Sequence, residues 1–259
     1  CAVTIYLGGM KTQYVRVFDD SGKEVKSQVN SEKDGVKEIL FIADVKSLGH
    51  RVYDVRPSDI PCRLETDLKI DTENTLENEK YIVTLNKMGN ITSILDKSLG
   101  EKEILKEPII LGLFKYTGSR QWPAWEMNFK EANKEADRIP RLVSVSIEET
   151  GPARAAFKVV QQDKNRSRFT YYIALTSGGK CVEVYSEIEW QNLCTMAKHR
   201  FSFTCSNKEA SFDLGLGVIK RGNMNEKLFE VPAQRWADIT DESGEYGVSV
   251  ISECKYGWD

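Results

Sequence analysis

Phe169–Thr170–Tyr171–Tyr172–Ile173–Ala174–Leu175 places an apolar side chain at every second position and stops at Ser177–Gly178–Gly179. Side chains alternate across a strand, so this run predicts a long β-strand ending in a turn. The next run repeats the pattern. Val182, Val184, Ile188 and Trp190 share one face, while Glu183, Glu187 and Glu189 share the other. Upstream, Val143, Val145 and Ile147 alternate with Ser144, Ser146 and Glu148. Three long strands joined by short turns predict a broad antiparallel sheet, one face buried and the other polar.

Outward from that sheet, strand signals continue. Tyr81–Ile82–Val83–Thr84–Leu85 and Ile91–Thr92–Ser93–Ile94–Leu95 flank Asn86–Lys87–Met88–Gly89–Asn90, which reads as a hairpin with a left-handed glycine. Ile109–Ile110–Leu111–Gly112–Leu113–Phe114 has the length of a buried strand. Near the N-terminus, Tyr14–Val15–Arg16–Val17–Phe18 stops at the turn composition Asp19–Asp20–Ser21–Gly22. Ile39–Leu40–Phe41–Ile42 and Arg51–Val52–Tyr53–Asp54–Val55 follow, and Pro57 and Pro61 then break the pattern. Residues 1–61 therefore read as a small β-sandwich with a proline-bearing linker, and 62–259 as a second, larger β-domain. Only residues 126–138 read as helical. No period of 20–50 residues repeats. The expected class is all-β.

Composition narrows the partners. A net charge of −3 over 259 residues gives no electrostatic case for nucleic acid. The short runs Lys164–Asn165–Arg166 and Lys198–His199–Arg200 read as solvated turns or strand ends. No apolar run approaches the ~18 residues of a membrane span, so no membrane partner is expected. The chain opens on Cys1 and not on Met, which fits a piece of a longer protein, and no compartment is assigned. Six scattered cysteines read as free, mostly buried thiols, and with only His50 and His199 no metal site is expected.

Several patterns carry no chemistry. Gly215–Leu216–Gly217 lacks the rest of a dinucleotide fingerprint, and Asp67, Asp71 and Glu73 lack the spacing of a calcium loop. Glu183 and Glu187 stand four positions apart on one strand, about 13 Å along the backbone, which suits a solvated face better than a catalytic pair.

The stretch Phe229–Glu230–Val231–Pro232–Ala233–Gln234–Arg235–Trp236–Ala237–Asp238 is followed by Tyr246–Gly247–Val248 and Cys254–Lys255–Tyr256–Gly257–Trp258. Together they resemble the C-terminal β-region signature of glycoside hydrolase family 38, the α-mannosidases. Gly89–Asn90–Ile91–Thr92–Ser93–Ile94–Leu95–Asp96–Lys97, Ile188–Glu189–Trp190 and Leu48–Gly49–His50–Arg51–Val52–Tyr53 resemble further family segments in the family's order. The resemblance runs over roughly residues 40–259.

That resemblance implies a small Ig-like β-sandwich, residues 1–61, followed by a galactose-mutarotase-like supersandwich, residues 62–259. Family members continue past the Lys-Tyr-Gly segment and open the small sandwich with a strand not found here. Truncation at both ends is therefore expected, with exposed sheet edges that invite pairing. The resemblance also implies a parent enzyme, a retaining α-mannosidase with an aspartate nucleophile, an acid/base carboxylate and a zinc ion in an N-terminal catalytic domain. Retention needs two carboxylates about 5 Å apart. In the family these groups precede the β-domains, so no catalytic residue and no metal ligand is assigned here, and the isolated chain is expected to be inactive. The implied partners are its own catalytic domain and mannose-containing glycans.

Arg221 is the first candidate for a sugar-facing residue, because its fork of donors suits vicinal hydroxyls. The alternative is a surface or interdomain salt bridge. Trp125 and Glu126, in the loop Trp122–Pro123–Ala124–Trp125–Glu126, are the second pair, since aromatic faces stack on sugar CH surfaces. There the alternative is a loop pinned to the core. Two rival functions stand beside the accessory β-region: a stand-alone carbohydrate-binding module, and a mutarotase-like epimerase using His199.

Overall fold

The computed structural model describes residues 1–72, 74–118, 121–122, 126–222 and 226–259. Within them the chain is all-β, built of antiparallel sheets. It divides into two compact units, Cys1–Lys102 with Arg141–Trp190, and Glu103–Pro140 with Gln191–Asp259.

The first unit opens with β1 (Ala2–Gly8), β2 (Tyr14–Asp19), β3 (Glu24–Val25), β4 (Ser27–Lys33), β5 (Val36–Ile42) and β6 (Tyr53–Ser58). They form two three-stranded sheets, in the orders β1-β5-β4 and β3-β2-β6. Val17, Phe41 and Ala43 are buried together, with Val3, Ile5, Val25, Tyr53 and Val55 packed around them. The sequence expectation that Pro57 ends the strand does not hold, because β6 runs through it, opposite Val15. β6 is an edge strand, where the missing N–H of proline costs the ladder little.

Next come β7 (Lys69–Ile70), β8 (Thr75–Glu77), β9 (Tyr81–Leu85), β10 (Ile91–Asp96) and β11 (Lys102–Glu103), in the order β11-β10-β9-β8-β7. The β9–β10 hairpin turns as the sequence predicts, with Gly89 at φ 75°. A Cβ on Gly89 would stand 2.6 Å from Val159 Cγ1 and 2.8 Å from Leu142 Cδ1, so the turn lies directly on its neighbours. Gln161, itself buried, donates to the Met88 carbonyl and to Asn90 Oδ1, both at 2.9 Å, and fixes the loop from below.

β12 (Leu105–Lys115) belongs to the second unit. β13 (Arg141–Thr150), β14 (Arg154–Gln162), β15 (Arg168–Thr176) and β16 (Glu183–Glu189) make a sheet of the first unit in chain order. Its middle departs from the sequence reading. β14 and β15 are buried on both faces, with Phe157, Val159, Phe169 and Leu175 on one side and Ala156, Val160, Thr170 and Ala174 on the other. Each large side chain so buried contributes about 1.5–3 kcal/mol relative to exposure. Nor does the expected buried face form at the margins, where Val143, Ile147, Val184 and Ile188 are exposed.

In the second unit β12 pairs with β17 (Thr195–Phe203), with Gly112 opposite Lys198 and Leu111 opposite His199. β18 (Glu209–Asp213), β19 (Val218–Gly222), β20 (Val231–Pro232), β21 (Trp236–Thr240), β22 (Gly247–Ile251) and β23 (Gly257–Trp258) complete it. Four of these form a sheet in the order β19-β18-β21-β22, and β20 pairs with β23. The helix expected over 126–138 shrinks to one turn, Phe129–Ala132. The later residues are claimed by β12: Lys115 N donates to Asp137 Oδ2 at 2.6 Å, and Arg138 bridges to Leu113. The cysteines also differ from expectation. All six are free thiols, but only Cys205 is buried.

Candidate functional site

Backbone amides of the 229–238 stretch tie it to its neighbours. Gln234 N donates to the Asp213 carbonyl at 2.8 Å, Arg235 N donates to Asp213 Oδ2 at 3.1 Å, and Ala233 N donates to the Tyr256 carbonyl at 3.0 Å. Asp238 accepts from the hydroxyls of Thr240 and Ser249, each at 2.7 Å. The residues of this signature thus set the path of β20 between β18 and β23.

Arg221 stands on β19 opposite Ala210 of β18. Its guanidinium carbon lies 5.0 Å from the centroid of the Phe212 ring, and its Nη1 donates to the Pro232 carbonyl of β20 at 2.8 Å. A ring beneath and a fixed acceptor at one end orient the planar fork. The described partners of Arg221 are therefore a ring and a carbonyl, and not the carboxylate that the salt-bridge alternative calls for.

Glu126 is exposed, and its own carbonyl accepts from the Tyr116 hydroxyl. Its N–H donates to the Trp122 carbonyl at 2.9 Å, closing the loop. Trp125 lies outside the described residues. Burial raises the pKa of Tyr116, and the negative charges of Glu131, Glu230 and Glu126 raise it further, so these carboxylates share one neighbourhood.

Glu230 belongs to that neighbourhood and was missed as a site residue, although it lies within the quoted signature. The β20–β23 register pairs Val231 with Trp258 and Pro232 with Gly257, which sets Glu230 opposite Asp259. Like charges directly across an antiparallel pair repel. Lys198, from β17, stands between them. Its Nζ bonds the Asp259 carboxylate, lies 3.6 Å from Glu230 Oε2, and sits 5.8 Å from the Phe114 ring centroid. Burial lifts the Glu230 pKa above the ordinary carboxylate range; Lys198 pulls it back down and Asp259 adds to the rise. Glu230 Oε2 is buried without a hydrogen bond. The sequence expectation of a solvated Lys198–His199–Arg200 fails at its first residue, whose side chain is only 15% exposed.

The structure thus ties Arg221 of β19 to β20, just after Glu230, and brings Glu126 into the electrostatic range of the same place. It does not gather the Glu183, Glu187 and Glu189 face into a site. Those residues stand opposite Ala174, Thr170 and Arg168, spread along β16. An open hollow lined by Ser206, Asn207, Lys208, Asp241, Glu242 and Ser243 has Ser243 Oγ donating to Asp241 Oδ1 at 2.6 Å and Asn207 Nδ2 donating to the Thr240 carbonyl at 2.7 Å. Among the described residues no three His, Cys, Asp or Glu side chains are placed to hold a metal ion.

Comparison with known proteins agrees with this architecture. The glycosyl hydrolases family 38 C-terminal domain matches residues 76–259. An α-mannosidase from Enterococcus faecalis V583 superposes with a TM-score of 0.72 at 14% identity, over 99% of this chain and 36% of its own. A protein in glycosyl hydrolase family 38 from Enterococcus faecalis gives 0.70 at 14% identity, over 99% of this chain and 37% of its own. At that identity the likeness speaks for the fold, and this chain spans little more than a third of either protein. No curated protein matches the sequence. With the family's own domain matched over most of its length, the chain belongs to the glycosyl hydrolases of family 38, as part of their C-terminal domain.

Proposed function

We propose that this chain is a non-catalytic β-region of a retaining, zinc-dependent α-mannosidase, in which it packs on the catalytic domain and shapes the sugar pocket. The observation that carries this reading is the family match over residues 76–259, joined to a fold shared with a protein described as an α-mannosidase. In that role Arg221 faces sugar hydroxyls, and Trp125 with Glu126 forms a wall of the pocket. The described residues do not fit the zinc: His50 and His199 fall in different units, and no donor set gathers among them. Zinc therefore belongs, in this reading, to the catalytic region, and the chain alone is inactive. A domain boundary near residue 61 goes with the same reading.

A carbohydrate-binding module is the second reading. Tyr185, 65% exposed, stands on the sheet surface with its ring centroid 6.0 Å from that of Tyr172, with Lys158 alongside, a surface on which a sugar ring can stack.

The test is hydrolysis of an aryl α-mannoside, with added zinc, by this chain and by the complete protein. Activity in the complete protein alone is expected. Turnover by this chain would sink the accessory reading and move attention to its own carboxylates. Saturable binding of methyl α-mannoside by the chain, abolished by Tyr185→Ala, would favour the module.

A further inference from the structure

We propose that Lys198 is a positioning residue for Arg221, acting through β20; the sugar-facing role of Arg221 is the reading on which this rests. Four contacts form the chain of causes. The single positive charge of Lys198, on β17, offsets part of the repulsion between Glu230 and Asp259, which the β20–β23 register sets opposite each other. β20 pairs with β23 over two residue pairs, extended by the bond from Ala233 N to the Tyr256 carbonyl at 3.0 Å, so the repulsion between these carboxylates acts on a short ladder. Pro232, in that ladder, supplies the carbonyl that holds Arg221 Nη1. Phe212, beneath the guanidinium, belongs to β18, in a different sheet from β20 and β23.

The opposite end of the segment is anchored independently. Asp213 of β18 holds Gln234 N and Arg235 N, so loss of Lys198 loosens the β20–β23 ladder, with the Pro232–Ala233 peptide plane in it, and leaves residues 234–235 in place. The guanidinium then keeps its ring and loses its fixed acceptor, which frees the fork to rotate over Phe212. The surroundings of Lys198 fit a clamp: its Nζ also reaches the Ala132 carbonyl at 3.4 Å and lies over Phe114, so its long stem is held on several sides.

The experiment has two arms. In this chain, nitrogen-15 NMR reads the rotation of the Arg221 guanidinium in wild type, Lys198→Met and Lys198→Arg. Lys198→Met is expected to speed the rotation about fivefold, the loss of one hydrogen bond, and Lys198→Arg to keep it slow. Lys198→Met combined with Glu230→Gln, which removes the repulsion, is expected to restore slow rotation. In the complete protein, Lys198→Met is expected to raise KM for an aryl α-mannoside about fivefold with kcat unchanged. A purely structural role would lower thermal stability and leave both rotation and KM alone. Unchanged rotation in Lys198→Met overturns the positioning role. If rotation changes but Arg221→Ala leaves KM as it was, the positioning role stands and the sugar-facing reading of Arg221 is the part that fails.

Discussion

Asp67 joins stretches of the first unit that are far apart in sequence. Its carboxylate accepts from Ser177 Oγ, from Glu79 N at 2.9 Å and from Gly178 N at 3.1 Å. Lys26, between β3 and β4, lies 3.5 Å away and donates to Ser177 Oγ at 2.6 Å. Partial burial alone would raise the Asp67 pKa, but the hydroxyl and the two amides outweigh it and hold the group far below the ordinary aspartate value. The folded-state pKa is therefore below the unfolded one. The unfolded chain takes up the proton first, so the contribution is complete above about pH 4 and is lost as pH falls through the folded value. Asp67→Asn is expected to cost about 1–3 kcal/mol near neutral pH. Because the wild-type carboxylate becomes protonated in acid, the gap between the two proteins narrows there. Urea midpoints for both, taken from neutral pH down through the acid range, check this; a gap that stays constant with pH would remove Asp67 as its origin. Gln28 makes a comparable tie without charge, accepting from Ala153 N at 3.0 Å and Arg154 N at 2.9 Å and donating to the Arg154 carbonyl at 3.1 Å. It fits because Gly151, beside it, has no Cβ to occupy the space.

The elements of the long sheet differ in how they are covered. β14 and β15 are enclosed on both faces and by a strand at each side, whereas β16 ends the sheet order and exposes Val184 at 49% and Ile188 at 44%. Opening free energy follows buried contacts, so amides of β14 and β15 are expected to exchange most slowly in this unit and the outward amides of β16 orders of magnitude faster. Hydrogen exchange read by mass spectrometry checks the order, and equal protection across β15 and β16 would refute it. The same difference explains what the sequence makes legible. β15 and the β9–β10 hairpin are readable because alternation and Gly89 are local signals. β14 was passed over because Arg154–Ala155–Ala156–Phe157–Lys158–Val159–Val160–Gln161–Gln162 has no alternation, the pattern of a strand buried on both faces. Residues 126–138 carry helix-forming Lys, Glu and Ala, but Asp137 and Arg138 are recruited by β12, a long-range demand that overrides propensity. At the candidate site Arg221 stands out in the sequence for its fork of donors. Lys198 does not, because a basic run does not tell which strand its first residue will face.

At the scale of the whole molecule, chain order and compactness part company. The backbone passes between the two units at 102–103, at 140–141 and at 190–191, so neither unit is a continuous stretch. Every strand of β1–β10 and of β13–β16 lies before residue 191, together with its ladder partners and the side-chain ties made by Asp67 and Gln28. β12 is different. Its ladder partner β17 comes afterwards, and only the bridge between Leu113 and Arg138 stays within 103–140. Leu113 and Leu111 are buried in the intact chain, and removal of β17 takes away the strand paired along them. Unpaired backbone and bared leucines cannot hold an extended conformation against the entropy gained by release. A chain ending at Trp190 is therefore expected to keep the first unit folded and to lose order over 103–140. Limited proteolysis followed by mass spectrometry reads this directly. Cuts should concentrate within 103–140 in the shortened chain, while 141–190 resists as it does in the intact one. Equal resistance of 103–140 in the two chains would mean that β12 draws its order from the first unit and not from β17, and the division into two units would have to be redrawn around it.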